Sequence, residues 1–342
     1  MGGLDHRSRR LAAGSCYQLY AGTVGLLPMK CVYTVFLQRL TLASGAGLMG
    51  SAAAFAHNNQ PLMSSELWLS FNGDPWILSG LVLSGGLYFW GIRRLWQASS
   101  TGAGIRRGET LVFSVGWFFL FIALVSPLDP LGEVLFSAHM VQHEVLMLIA
   151  APLLVLGRPL AAFLWALPLS WRRISGRSAK GKWVQSTWRA LTYPWAAWAI
   201  HGAVLWIWHA PKFFQAALAS DFIHTLQHIS FLFSALLFWW ALIRGQQGGI
   251  GFGAAILYIF TTAIHTSLLG ALLTFAPTVW YPIYAETTLA WGLTPLEDQQ
   301  LGGLIMWVPA GLVYIFAALA LLALCLRESE LRAQKRESLC VG

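Results

Sequence analysis

Four of the nine histidines in this 342-residue chain fall into one repeated pattern. His139-Met140-Val141-Gln142-His143 and His224-Thr225-Leu226-Gln227-His228 both read H-x-x-Q-H. On a helix, positions four apart lie one turn apart on the same face. Each segment therefore presents two imidazoles together. Imidazole nitrogens ligate copper, zinc and iron, so two such pairs could make a metal site or supply the axial ligands of a haem. His209, which ends Trp206-Ile207-Trp208-His209, and His265, inside another apolar stretch, are candidate further ligands. For His201, in mid-stretch, a hydrogen bond to a neighbouring helix is the simpler role. Glu144 directly follows His143 and could orient a ligand, bind the ion or carry a proton. Asp129 and Asp298 belong to a set of acidic residues that would draw a cation towards the histidines. The thioethers of Met140 and Met306 suit Cu(I), although apolar packing is the more ordinary job for them.

Several other chemistries find no support. The histidine pairs have zincin-like spacing but lack a Glu directly after the first His, and no P-loop, G-x-S-x-G or dinucleotide fingerprint is present. The four cysteines, Cys16, Cys31, Cys325 and Cys340, form no C-x-C or C-x-x-C, so neither a disulfide framework nor a thiolate metal site is signalled.

The elements that must position these histidines are membrane helices. The chain is 57% hydrophobic and only 11% charged, against about 25% charged in soluble domains. That excludes a soluble enzyme or a nucleic-acid binder and predicts an all-α integral membrane protein, a seven-transmembrane-helix bundle. The expected spans are roughly 76–95, 109–126, 138–157, 192–209, 222–243, 252–275 and 302–326, with Pro127, Pro130, Pro211, Pro277 and Pro282 at their ends. Residues 160–169 are apolar but too short to cross, and are expected to be interfacial or re-entrant. Sixteen Lys and Arg follow the first, third, fifth and seventh spans, while the other side carries only Lys212. Positive residues stay in the cytoplasm, which places the N-terminus outside, the C-terminus in the cytoplasm and the histidines in the outer half of the bilayer. The net charge of +8 is then a consequence of topology, with no acidic partner required.

The N-terminal part reads as export machinery. Residues 1–28 form a leader or over-extended start, and 29–56 a signal peptide or signal anchor ending at Ala54-Phe55-Ala56. Residues 57–75 are then a periplasmic segment, 76–326 the seven-helix membrane domain and 327–342 a cytoplasmic tail. Cleavage after Ala56 would expose the His57 amine and imidazole, a pair that could chelate copper.

A set of short motifs recurs in this order: Asp74-Pro75-Trp76, Ser126-Pro127-Leu128-Asp129, His139–His143 with Pro152, Trp208-His209-Ala210-Pro211, His224–His228, and Asp298-Gln299-Gln300-Leu301-Gly302-Gly303 with Met306-Trp307. In these residues the chain resembles the CtaG family of cytochrome c oxidase assembly factors, the seven-span kind associated with caa(3)-type oxidase, over about residues 70–325. The resemblance implies a non-enzymatic role in maturing the oxidase in a bacterial cytoplasmic (inner) membrane, by handling copper, with oxidase subunits or copper chaperones as partners. Two other readings fit the residues: a haem-binding protein using one His from each pair, and a proton- or ion-coupled transporter using the histidines and Glu144 as a relay.

Overall fold

A computed structural model describes residues 70–245 and 251–341. The expected leader, signal segment and His57 site lie outside the described residues. The described chain is helical: α1 Pro75–Ala98, α2 Arg107–Val125, α3 Leu128–Val134, α4 Phe136–Leu156, α5 Pro159–Ala166, α6 Leu169–Ser178, α7 Lys182–Leu191, α8 Pro194–His209, α9 Pro211–Leu218, α10 Asp221–Gly245, α11 Phe252–Thr274 and α12 Pro295–Val341. Short 3₁₀ turns at Pro282–Tyr284 and Thr288–Trp291 shape the α11–α12 connection.

Six of these helices (α1, α2, α4, α10, α11 and α12) are long and apolar enough to cross a membrane. The expected fourth span, α8, has 16 residues, short of the roughly 20 that cross a bilayer. The last helix starts earlier and runs further than its composition suggests, because Glu297 and Asp298 fit its first turn and Glu328 pairs with Arg332 one turn on, beyond the apolar part. The expected interfacial stretch is α5, packed so closely on α1 that a Cβ on Gly91 would lie 1.9 Å from the Ala162 carbonyl oxygen.

Sequence signals explain where the helices start and bend. Asp74 caps α1, its Oδ1 accepting the Trp76 amide at 2.8 Å, with Pro75 at the first helical position. Within α4, Val145–Ala150 form a π-helical turn just before Pro152. Pro152 cannot donate to the preceding turn, and Trp239 of α10 supplies an indole N–H to the Met147 carbonyl at 2.9 Å. Irregular helix inside an apolar bundle persists where a neighbour satisfies the freed carbonyl.

The basic residues gather where α4 and α5 end. Arg94 donates to the Ala166 and Leu167 carbonyls, Arg244 to Val155 and Arg158 to Gly104. Cations there satisfy the last helical carbonyls and oppose the helix dipole. The histidines of α4 and α10 sit at the opposite ends of those helices, where both begin.

α11 and α12 touch backbone to backbone. A Cβ on Gly303 would lie 2.5 Å from the Thr274 nitrogen and one on Gly270 2.9 Å from the Gly303 carbonyl oxygen, the close approach that small residues permit between membrane helices. Gly303→Leu is therefore expected to lower stability in detergent by about 1–3 kcal/mol, read as a drop in thermal midpoint. Gly311→Leu on the same helix, whose Cβ would meet nothing within 4 Å, should leave the midpoint in place.

Candidate metal centre

α4 brings His139 and His143 to one face, α10 brings His224 and His228, and α8 ends on His209. The five rings form one cluster. Ring centroids are 4.3 Å apart within each i, i+4 pair, 5.3 Å for His139–His224, 5.9 Å for His139–His228, 5.5 Å for His143–His228 and 6.2 Å for His143–His209. His139, His143, His209 and His228 are buried and His224 is half-buried.

The hydrogen bonds orient these rings outward from the backbone and into one another. His139 Nδ1 faces the Gly132 carbonyl at 3.2 Å and His209 Nδ1 the Leu205 carbonyl at 2.7 Å. A carbonyl can only accept, so each Nδ1 carries the proton and each Nε2 keeps its lone pair. That arrangement is the usual support of a metal-ligating imidazole. His139 Nε2, both nitrogens of His143, and Nε2 of His209, His224 and His228 are buried with no hydrogen-bond partner among the described residues. Unbonded buried polar atoms are rare and costly, and six of them fall on these five rings. One nitrogen each from His139, His224 and His228 lies within 4.8 Å of the others. An ion held at about 2.0 Å by each would draw them closer, which modest ring rotations supply.

Aromatic rings close the cluster on two sides. Phe214 lies 5.1 Å from the His139 ring and 4.4 Å from the tilted ring of Tyr281, which stacks with Phe136. Phe231 lies 4.5 Å from His143 on the other side. Tyr284 donates its hydroxyl to the same Gly132 carbonyl that receives His139, at 2.9 Å, and Tyr281 donates to the His209 carbonyl at 2.7 Å. Burial pushes both phenols up, so both remain donors.

The acidic residues expected at the entrance do something else. Asp298 is fully buried; its carboxylate accepts the Phe136 amide at 2.6 Å, the Ser137 amide at 3.1 Å and the Ser137 hydroxyl. It is a cap for α4 delivered from α12. Asp129 accepts from Asn72 and from Gln142, both at 2.6 Å, and Gln142 also donates to the Ala123 carbonyl. Gln142 is the shared glutamine of the first H-x-x-Q-H, so Asp129 fixes the rotation of the helix that carries His139 and His143. In the second copy, Gln227 is buried beside His139.

The remaining candidates lie elsewhere. His265 rests against Trp198, ring centroids 5.5 Å apart, with its Nε2 beside Gly202. Its neighbour on α8 is His201, which pairs with Ser234 at 3.2 Å, about 12 Å along the helix from His209. Met140 packs on Gly302, where an added Cβ would be 3.2 Å from its Cγ, and Met306 is buried in the core. Glu144 turns towards Tyr314, with Oε2 buried and unbonded. Sequence reasoning missed Gln227, Phe214, Phe231 and Tyr284; only the glutamine had left a signal, by its recurrence in both H-x-x-Q-H copies.

Residues 86–328 match the family model described as cytochrome c oxidase caa3 assembly factor (Caa3_CtaG). Uncharacterized proteins of Mycobacterium bovis and Mycobacterium tuberculosis are each 28% identical over 241 residues, 67% of this chain and 36% of theirs. One of Mycobacterium leprae is 28% identical over 233 residues, 61% of this chain and 33% of its own. The chain thus spans about a third of the length of these curated relatives. No solved structure matches.

Two substitutions test the scaffold. Asp298→Ala removes a cap that serves two buried amides, and is expected to cost about 2 kcal/mol or more and to loosen α4 at Phe136–His139, read as faster amide exchange there. Asp129 adds a pH signature. Burial pushes its carboxyl from 3.8 to about 6, against hydrogen bonds from Gln142 and Asn72, and Asp74 pushes it the same way as burial. A raised acid binds more protons folded than unfolded between those values, so its stabilising contribution is present below about pH 4 and lost as pH rises through 6. Relative to Asp129→Asn, the wild type should lose on the order of 2 kcal/mol between pH 4 and 7; parallel stability curves for the two would refute the assignment.

Proposed function

Because the chain belongs to the cytochrome c oxidase caa3 assembly factor family, we propose that it serves oxidase maturation by holding copper in transit at the five-histidine cluster and passing it to an oxidase subunit or a copper chaperone, without catalysing a reaction. Copper is the cargo. The observation that carries this reading is the cluster of buried, unbonded imidazole nitrogens on α4, α8 and α10, with one nitrogen each of His139, His224 and His228 within 4.8 Å of the others. Imidazole suits copper, and the Nδ1–H bonds of His139 and His209 leave Nε2 free to bind it. The rings touch one another and the flanking phenylalanines, so a haem plane would have to part them; this favours a single ion over the macrocycle.

The proposal includes a topology. α8 is the seventh span, with Tyr193 and Trp195 exposed at its start as interfacial anchors and its short length met by local thinning of the bilayer. The arginine end of the bundle faces the cytoplasm, and the histidine end faces the outside of a bacterial inner membrane.

The test is metal analysis with an absorption spectrum on detergent-purified protein, comparing wild type with His143→Leu/His228→Leu. Copper near one ion per chain, at least roughly tenfold reduced in the double variant, and no Soret band would agree. Because the imidazoles are unbonded without the ion, the leucine variant should match or exceed the copper-free wild type in thermal midpoint, and copper should stabilise only the wild type. A Soret band lost in the variant would replace copper by haem. No uptake of either would end the metal reading.

A further inference from the structure

An apolar cavity of about 410 Å³ lies among α1, α2, α4, α5 and α10. Its walls are Leu81, Phe113, Leu120, Leu146 and other aliphatic and aromatic groups, and one metal-ligand candidate reaches it: His228. The cavity has a mouth. Trp76 and Gly80 on α1 and Ile229 on α10 line it and are exposed, Trp76 at 81% and Ile229 at 59%. Ile229 stands eight residues into α10, about 12 Å from the helix start, so the mouth opens sideways from the bundle at the depth of the histidines. The face of the cluster towards the α11–α12 connection is closed instead by Phe136, Phe214, Tyr281 and Tyr284, each no more than 2% exposed.

We infer that this cavity is a lateral exchange portal, through which an apolar, membrane-embedded partner segment carrying a soft donor reaches the ion at His228. The inference rests on the copper reading above and adds the route and the class of partner. An aqueous acceptor would need a polar path, whereas the walls from mouth to His228 are almost wholly apolar, with Ser84 and Thr225 the other polar side chains among the lining residues. Buried Leu, Phe and Trp side chains accept a hydrocarbon surface and exclude a hydrated charge. The volume is between two and three times that of a cavity of about 150 Å³ that takes benzene, enough for a thioether or imidazole side chain with apolar neighbours. The exchange is a ligand substitution at constant oxidation state. The bond from Cu(I) to a neutral thioether or imidazole of the partner forms as the bond to His228 Nε2 breaks, and no electron or proton moves.

The full chain, loaded with Cu(I) in lipid nanodiscs, is challenged with two chelators. Neocuproine is neutral and partitions into the bilayer; bathocuproinedisulfonate is anionic and stays in water. The cavity is blocked by Gly80→Phe, a position where an added Cβ meets nothing within 4 Å, and independently by Ser84→Leu. The expected result is unchanged copper content, faster removal by neocuproine than by bathocuproinedisulfonate in wild type, and at least roughly tenfold slower neocuproine removal in both blocked variants, with the water-confined chelator unaffected. Equal rates for the two chelators, or blocked variants that release copper to neocuproine as the wild type does, would overturn the portal and leave the metal site standing. A wild type that takes up no Cu(I) would overturn both.

Discussion

Asp298 reaches from the first turn of α12 to the first turn of α4 and accepts two backbone amides and a hydroxyl there. The free amides of a helix start are the strongest orphan donors a buried helix carries, and Leu135, the residue before α4, has no side chain that can serve them. Without the carboxylate, the helix that carries His139 and His143 would begin with bare N–H groups in an apolar bundle. With it, α4 has a fixed starting point. Gln142, tied to Asp129 and Ala123, then fixes its rotation, and the Trp239 bond to Met147 holds its irregular middle. The histidines lie on a face of a helix whose start, rotation and irregular middle each have a dedicated partner.

The short motifs read most simply as parts of this scaffold. Asp74-Pro75-Trp76 starts α1; Asn72 just before it joins α1's entrance to Asp129. In Ser126-Pro127-Leu128-Asp129 the serine hydroxyl closes α2 on the Ile122 carbonyl and accepts the Leu128 amide. Trp208 bonds Ser230, joining α8 to α10 beside His209. Gln299 and Gln300 pin the connection from α11 through Trp280, Thr278 and Ala276. Gly302 admits Phe136, which an added Cβ would strike at 2.3 Å. Trp208–Ser230 and Gly302–Phe136 act directly on helices that carry rings of the cluster, and the other contacts set the helices and the connection that pack around them.

Part of this was legible beforehand. The i, i+4 spacing put each histidine pair on one face, and the apolar runs with their prolines and one-sided arginines located six helices within a few residues. The pairing of α4 with α10 through their histidines followed from matched depth. Other features are not encoded in spacing. A helical period gives a face but not the neighbour on that face, so His265 was grouped with residues that lie about two helical turns away. Charge alone suggested an entrance role for Asp129 and Asp298, whereas burial turned both into structural acceptors. Phe214 and Tyr284 come from a short helix and a connection outside the long apolar runs, and only packing reveals that they cover the cluster.

On the copper reading proposed above, the placement of the carboxylates bears on the ion the cluster would suit. Transfer of charge out of water costs more as the square of that charge, and the penalty is lowered by a paired anion. Here Asp129 and Asp298 are engaged elsewhere, and Glu144 turns to Tyr314. Asp221 lies near His224 at the half-buried end of the cluster. On that reading, neutral imidazoles in an apolar shell would favour a monovalent ion over a divalent one, and among the metals that imidazole binds, copper has that state available.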